Sequence, residues 1–223
     1  MNDDGRAAPP GGGRSMSQVL IFYTAVPDQL PATFEERWLC RLAPPYRAKL
    51  SRRAAAVRAQ SIAGLSMLDA ALQALRMERD FTALELLPEG KPHWPQGPHF
   101  SISHSGGIAA CALASDMSIG LDVERIRPLE SRAVARVLTA EELYSAGESS
   151  ERLMELWTQK EAVAKAAGAG LRLLAQVKIA GRSANLQGIH WWLQPIDLGP
   201  GYVAHIATDQ QHFDTTVRRA SLT

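Results

Sequence analysis

The chain has 223 residues, 46% of them hydrophobic and 21% charged, with a formal net charge of +1. That composition excludes disordered and fibrous classes and predicts a packed core, in one large domain or two small halves. The near balance of charge argues against nucleic acid or an acidic membrane surface as the main partner. Its two cysteines, Cys40 and Cys111, sit among apolar neighbours and are too few for a disulfide framework or a zinc site. We read them as buried thiols in a reducing, cytoplasmic setting.

Met1 to Ser15, MNDDGRAAPPGGGRS, mixes Gly, Pro and charge without apolar periodicity and predicts a disordered leader, with Met16 as an alternative start. Gln18 to Val26 is rich in Val, Ile, Phe, Tyr and Thr and ends at Pro27, which predicts a first strand. Its apolar run is far shorter than the ~20 residues of a membrane span. Pro27-Asp28 offers no signal-peptide cleavage pattern either. Helices are predicted over Phe34 to Leu42 and Tyr46 to Arg76, the second bearing Arg47, Lys49, Arg52, Arg53 and Arg58. After Gly90-Lys91-Pro92 come strands over His99 to Ser103, Ile108 to Ala114 and Ser118 to Arg125. Helices over Thr139 to Tyr144 and Arg152 to Ala167 follow, then strands near Gln176 to Ile179, Ile189 to Gln194 and Tyr202 to Ala207. Helices and strands mix without strict alternation, so the fold class is α+β.

Within Ile119-Gly120-Leu121-Asp122-Val123-Glu124, the two-residue period of a strand puts Ile119, Leu121 and Val123 on one face and Gly120, Asp122 and Glu124 on the other. Same-face neighbours lie roughly 6.5 to 7 Å apart along the backbone, close enough for both carboxylates to meet one small cation. Hard oxygen donors favour magnesium or manganese over zinc. Taken alone, the same pair equally fits a half-exposed edge strand with two solvated acids.

On the helix over Arg152 to Ala167, Trp157, Glu161 and Lys165 fall on one stripe, with Lys160 one step round. The bland reading of Glu161 and Lys165 is a surface ion pair worth a few tenths of a kcal/mol. Gly168 and Gly170, just beyond, allow a sharp turn and close approach of a ligand. Ser101-Ile102-Ser103-His104-Ser105-Gly106 runs from a strand into a hydroxyl-rich turn, so Ser103 and His104 emerge where donors can meet a phosphate, or serve only as turn caps. No G-x-S-x-G elbow supports a serine hydrolase. The basic helix is either a solvated face or a phosphate contact. It has no interleaved aromatics for stacking on bases.

The order of these segments resembles the 4′-phosphopantetheinyl transferases, specifically the larger surfactin-synthetase-activating type. Three stretches carry the resemblance: Gly90-Lys91-Pro92, HFSISHSGGIAACALASDMSIGLDVERIRP from His99 to Pro128, and WTQKEAVAKAAGAGL from Trp157 to Leu171. The family's G-[IV]-D-[IVL]-E signature stands here as Gly120 to Glu124 with Leu121 at its second place, and W-x-x-K-E-x-x-x-K is complete as Trp157 to Lys165. Ser101 stands where asparagine is common.

The resemblance implies that Asp122, Glu124 and Glu161 hold magnesium, with manganese as an alternative, and that Glu161 also serves as general base. It implies that Lys165 meets the pyrophosphate of coenzyme A, with Lys160 beside it in the motif as a further coenzyme-binding candidate, that Lys91, Ser103 and His104 contact its phosphates, and that Arg58 and Ser61 add contacts from the basic helix. It further implies two similar α+β halves related by pseudo-twofold symmetry, residues 16–116 and 117–223, with the active site between them. The expected partners are coenzyme A and an apo carrier protein, with no nucleic acid, no membrane, and a monomeric cytoplasmic enzyme. Rival readings with the same acids are a magnesium-dependent phosphohydrolase or nucleotidyl transferase, and a non-enzymatic carrier-binding module.

Overall fold

A computed structural model describes residues 17–128 and 136–222. The expected leader and Met16 lie outside these residues. Strand β1 is Ser17–Ala25, followed by helices α1 (Ala32–Cys40), α2 (Pro44–Ser51) and α3 (Ala55–Ala74). Two short strands, β2 (Glu85–Leu86) and β3 (Pro92–His93), lead to β4 (His99–Ser105), β5 (Ile108–Ala114) and β6 (Ile119–Arg125). Helices α4 (Ala140–Ala146) and α5 (Ser150–Ala166) follow, then β7 (Lys178–Ala180), β8 (Ser183–Leu186), β9 (Ile189–Pro195), β10 (Tyr202–Thr208) and β11 (Phe213–Arg219). The architecture is α+β, as expected. No helix among the described residues is long and apolar enough to cross a membrane.

Two sheets organise the chain, one in the order β11-β1-β5-β4 and one in the order β6-β10-β9-β8-β7. Alternation along β1 explains how they stack. Leu20 and Phe22 face the core beneath α3, shared with Ile62, Leu65 and Leu68, whereas Val19 and Ile21 face a second core shared with Leu121 and Val123 of β6 and Ile206 of β10. The layers are therefore helices, sheet, sheet and α5. Strand β11 pairs in parallel with β1, so the first sheet draws on residues from both sides of the boundary expected after residue 116.

The single helix expected over Tyr46 to Arg76 is two. Ala54 is extended, and no proline or glycine marks the break. Tyr46 and Leu50 bury the short α2, while α3 lays Ile62, Leu65, Leu68 and Leu72 along the sheet. Tertiary burial overrides helix propensity here. Strands β2, β3, β8 and β11 are additional to those read from the sequence, and β4 runs on to Ser105. Cys111 is buried, but Cys40 is exposed at the end of α1, so only one of the two thiols is a core group.

An aromatic run fixes the segment between α3 and β4. Trp38, Phe81, Trp94 and Phe100 pack in sequence with ring centroids 5.3, 5.6 and 5.1 Å apart, each pair worth about 0.5–1.5 kcal/mol beyond area burial. Trp94 Nε1 donates to Asp80 O at 2.9 Å. The Gly90-Lys91-Pro92 turn is thereby carried on a rigid support.

His205 of β10 is 5% exposed. Its Nδ1 lies 2.8 Å from Thr158 Oγ1 and its Nε2 lies 3.4 Å from Gln159 Nε2, both on α5. Burial pushes the imidazole down to about 4, below the unfolded value near 6.5. The unfolded chain thus binds the extra proton between those values, so this stability is complete above pH 6.5 and lost as pH falls towards 4. At about 1.4 kcal/mol per unit, the loss is about 3 kcal/mol. Urea unfolding between pH 4 and 7 should show stability changing more favourably with rising pH in the native chain than in His205→Gln, the difference between the two isolating the imidazole from the oppositely shifted Glu161.

Candidate active site

The site forms where β6 meets α5, and Gly120 permits the meeting. A Cβ at Gly120 would collide with the carbonyl oxygen of Ala162 and come within 2.5 Å of Ala166 N, so only glycine lets helix and strand backbones approach this closely. Beyond it, the period of two divides the strand. Leu121 and Val123 are buried in the core between the sheets, and Asp122, 3% exposed, faces α5.

Lys165 is the hub of the arrangement. Its Nζ donates to Asp122 Oδ1 at 2.6 Å and to Ser103 Oγ at 3.1 Å. The helix-surface ion pair with Glu161 is therefore not what this lysine makes. It reaches across to β6 instead. Ser103 Oγ donates to Asp122 Oδ1 at 2.9 Å and accepts Val123 N–H at 3.2 Å. Two residues further on, Ser105 Oγ donates to Glu124 Oε2 at 2.5 Å and accepts Arg125 N–H at 3.2 Å.

The electrostatics follow from burial and crowding of like charges. Burial, with Asp122 and Glu124 nearby, raises Glu161 well above the usual carboxylate range, while Lys165 opposes the rise. Glu124 is raised by burial and by Asp122, against the Ser105 hydrogen bond. For Lys165, burial works against the charge, but Asp122, Glu161 and Glu124 more than offset it and hold the ammonium above its ordinary value. Burial and the Lys165 charge lower His104.

A cavity of about 510 Å³ opens on these groups, lined by Ser103, His104, Asp122, Glu124, Glu161 and Lys165 together with Lys49, Arg53 and Ser61. A smaller neighbour of about 250 Å³ shares Gly90, Glu161 and Lys165 with it and adds Lys91, Gly168 and Gly170. Acids and cations thus face one space. Of the residues singled out in sequence, the structure gathers Asp122, Glu124, Glu161, Lys165, Ser103, His104, Lys91 and Ser61 around these two cavities.

Two others lie elsewhere. Lys160 is fully buried, with Nζ 2.9 Å from Glu142 Oε2 and donating to Val177 O at 2.9 Å. It is a core ion pair joining α5 to α4, because one step round the helix from Glu161 points inward. Arg58 pairs with Glu35 at 2.6 Å and donates to Arg53 O at 2.9 Å, since the break before α3 turns it away from the cavity. Lys91 lines the smaller cavity, but its Nζ donates to the backbone carbonyls of Lys165 at 2.6 Å and Ile119 at 3.3 Å. Burial and the neighbouring Lys165 bring it down to about 8. Its bonds place it as a cap on the end of α5.

Sequence reasoning does not single out Lys49, Arg53 and Ser105 as site residues. The S-x-S-x-S alternation of Ser101, Ser103 and Ser105 is the available signal for the last of these. Lys49 and Arg53 lie within the basic stretch, but the α2–α3 break selects which of its members face the cavity.

Among the described residues, no group of three or more His, Cys, Asp or Glu side chains is placed to hold a metal ion. The chemistry of Asp122, Glu124 and Glu161, all hard oxygen donors on one cavity, nonetheless suits a hard divalent cation. Asp122 Oδ2 is buried without a hydrogen-bond partner, and Glu124 and Glu161 are raised by burial and, in addition, by neighbouring negative charge, the part a cation would relieve.

Residues 118–211 match the model of the 4′-phosphopantetheinyl transferase superfamily. The chain is 37% identical over 92 residues to 4′-phosphopantetheinyl transferase Sfp of Bacillus subtilis strain 168, covering 38% of this chain and 40% of that protein. It is 35% identical over 107 residues to 4′-phosphopantetheinyl transferase psf-1 of Bacillus pumilus, covering 45% of each, and 39% identical over 88 residues to HetI of Nostoc sp., covering 36% and 37%. The similarity thus spans less than half the length of these curated relatives. The matched segment contains β6 and α5, the two elements that meet at the site.

Because Gly120 sets the spacing of β6 and α5, Gly120→Ala should destabilise the chain by about 1–3 kcal/mol or more through overpacking. It should also separate Lys165 from Asp122. Guanidinium unfolding checks the first effect. Loss of protection of the Lys165 amine from acylation by Asp122, read by mass spectrometry, checks the second.

Proposed function

We propose that this chain transfers the 4′-phosphopantetheine arm of coenzyme A to a serine of an apo acyl or peptidyl carrier protein, in a magnesium-dependent reaction that releases adenosine 3′,5′-bisphosphate. The observation that carries the reading is the Lys165 ammonium held between Asp122 and Ser103 on a cavity wall that also presents Glu124 and Glu161. Carboxylates suited to a cation stand beside donors suited to a pyrophosphate. The names of the curated relatives support the same activity.

In this reaction the carrier serine oxygen bonds to the β-phosphorus of coenzyme A while the bond from that phosphorus to the bridging oxygen breaks. The electron pair leaves with adenosine 3′,5′-bisphosphate. Lys165 meets negative charge on the phosphoryl oxygens, steadied by Ser103, with Lys49, Arg53 and His104 on the same cavity for the remaining phosphates. Glu161 accepts the serine proton, directly or through water. Asp122, Glu124 and Glu161 would hold magnesium, or manganese, which when bound supplies Lewis-acid neutralisation of the pyrophosphate.

Residues 16–116 and 117–223 form the two halves of this enzyme, with the first sheet borrowing β11. Every group invoked comes from one chain, so we assign a monomer. We place it in the cytoplasm, acting on carriers of fatty acid, polyketide or nonribosomal peptide synthesis.

Incubation with coenzyme A, magnesium and a panel of apo carriers should add the mass of the arm to at least one carrier. Asp122→Ala and Glu161→Gln should each slow that transfer by about 10²–10³-fold or more. Near wild-type transfer by either variant, or hydrolysis of coenzyme A without a carrier, would sink the assignment.

A further inference from the structure

We infer that Ser105 is a positioning residue for Glu124, fixing that carboxylate towards a divalent cation, and that Tyr202 holds the turn on which Ser105 stands. The inference rests on the reading of Asp122, Glu124 and Glu161 as a cation site.

A serine hydroxyl has one proton to give. Ser105 Oγ accepts the Arg125 N–H at 3.2 Å, so its own proton is directed to Glu124 Oε2 at 2.5 Å. Asp122 has two such holders, Ser103 and Lys165. Among the described residues, Glu124 has only Ser105. Engaging Oε2 leaves Oε1 as the oxygen offered to the cavity, a single orientation for a carboxylate that would otherwise rotate.

The position of Ser105 is itself secured from two directions. Tyr202 Oη, reaching from β10, donates to Gly106 O, and Val26 N–H donates to Gly107 O at 2.8 Å. Gly106 has φ +56° and lies against the Arg125 side chain, which a Cβ there would meet at 2.6 Å. Tyr202 faces Arg125 across the β6–β10 ladder. A tyrosine outside both cavities therefore anchors the turn that anchors the hydroxyl that aims the acid.

Ser101 supplies an internal control. Its hydroxyl makes the same kind of bond to β6, accepting Leu121 N–H at 2.9 Å, but it touches no carboxylate. Manganese titration of the full chain, without coenzyme A or carrier and followed by the paramagnetic resonance of free manganese, reads the cation site directly. Ser105→Ala should weaken manganese binding by about tenfold or more, Tyr202→Phe should weaken it in the same direction by less, and Ser105→Thr should restore it. Ser101→Ala should bind as the native chain does. Native affinity in Ser105→Ala, or equal weakening by Ser101→Ala, overturns the inference. Should Ser105→Ala fail to fold, Tyr202→Phe decides, and native affinity there overturns it. A native chain that binds no manganese removes the cation reading itself, a result distinct from either.

Discussion

The arrangement depends on a row of serine hydroxyls along the line where β4 meets β6. The two strands run side by side with no backbone ladder between them, and every second residue of β4 supplies the missing acceptor. Ser101, Ser103 and Ser105 take the N–H groups of Leu121, Val123 and Arg125 in turn. Leaving such a buried donor unpaired costs about 1–3 kcal/mol, so the row is what allows two sheets to join edge to edge. A side chain spans more distance than a carbonyl, and a hydroxyl that accepts from one strand still has a proton to give. Ser103 and Ser105 spend that proton on Asp122 and Glu124. Closure of the fold and orientation of the acids are thus performed by the same atoms.

The opposite wall of the site is held by backbone contact. Gly120 brings α5 onto β6, and the Lys91 ammonium caps the helix end through the Lys165 carbonyl while also binding Ile119 O at the start of β6. A cation near a helix C-terminus also interacts favourably with the helix dipole. Lys91 and Lys165 therefore divide the work, one fixing where the helix ends and the other presenting charge to the cavity. Lys160, three residues of the same helix away from Val163 and its core neighbours, spends its charge on Glu142 inside the protein.

Much of this is legible in the order of the residues. The period of two along Ile119 to Glu124 predicts which face bears the acids, and the spacing of Glu161 and Lys165 predicts a shared helical stripe. What the letters lack is direction. A motif places Lys160 beside Glu161 but does not say that one turns to the core and the other to the cavity. The basic stretch from Arg47 to Arg58 looks continuous because no proline or glycine interrupts it, while the break at Ala54 arises from burial of Tyr46 and Leu50. Ser105 reads as the start of a turn because its neighbours are glycines, although the alternation with Ser101 and Ser103 continues through it. Strand β11 has no local partner to announce it, since its pairing is with residues nearly two hundred positions earlier.

That distant pairing bears on how the protein is made. Until residues 213–219 have left the ribosome, β1 has β5 on one side and an open edge on the other. An unpaired strand edge as apolar as Val19 to Phe22 invites pairing with other chains, and sequence-distant pairing is slow to form. The first sheet can begin to assemble early in synthesis but closes only once β11 has emerged, which places the vulnerable interval for aggregation while the chain is still being extended.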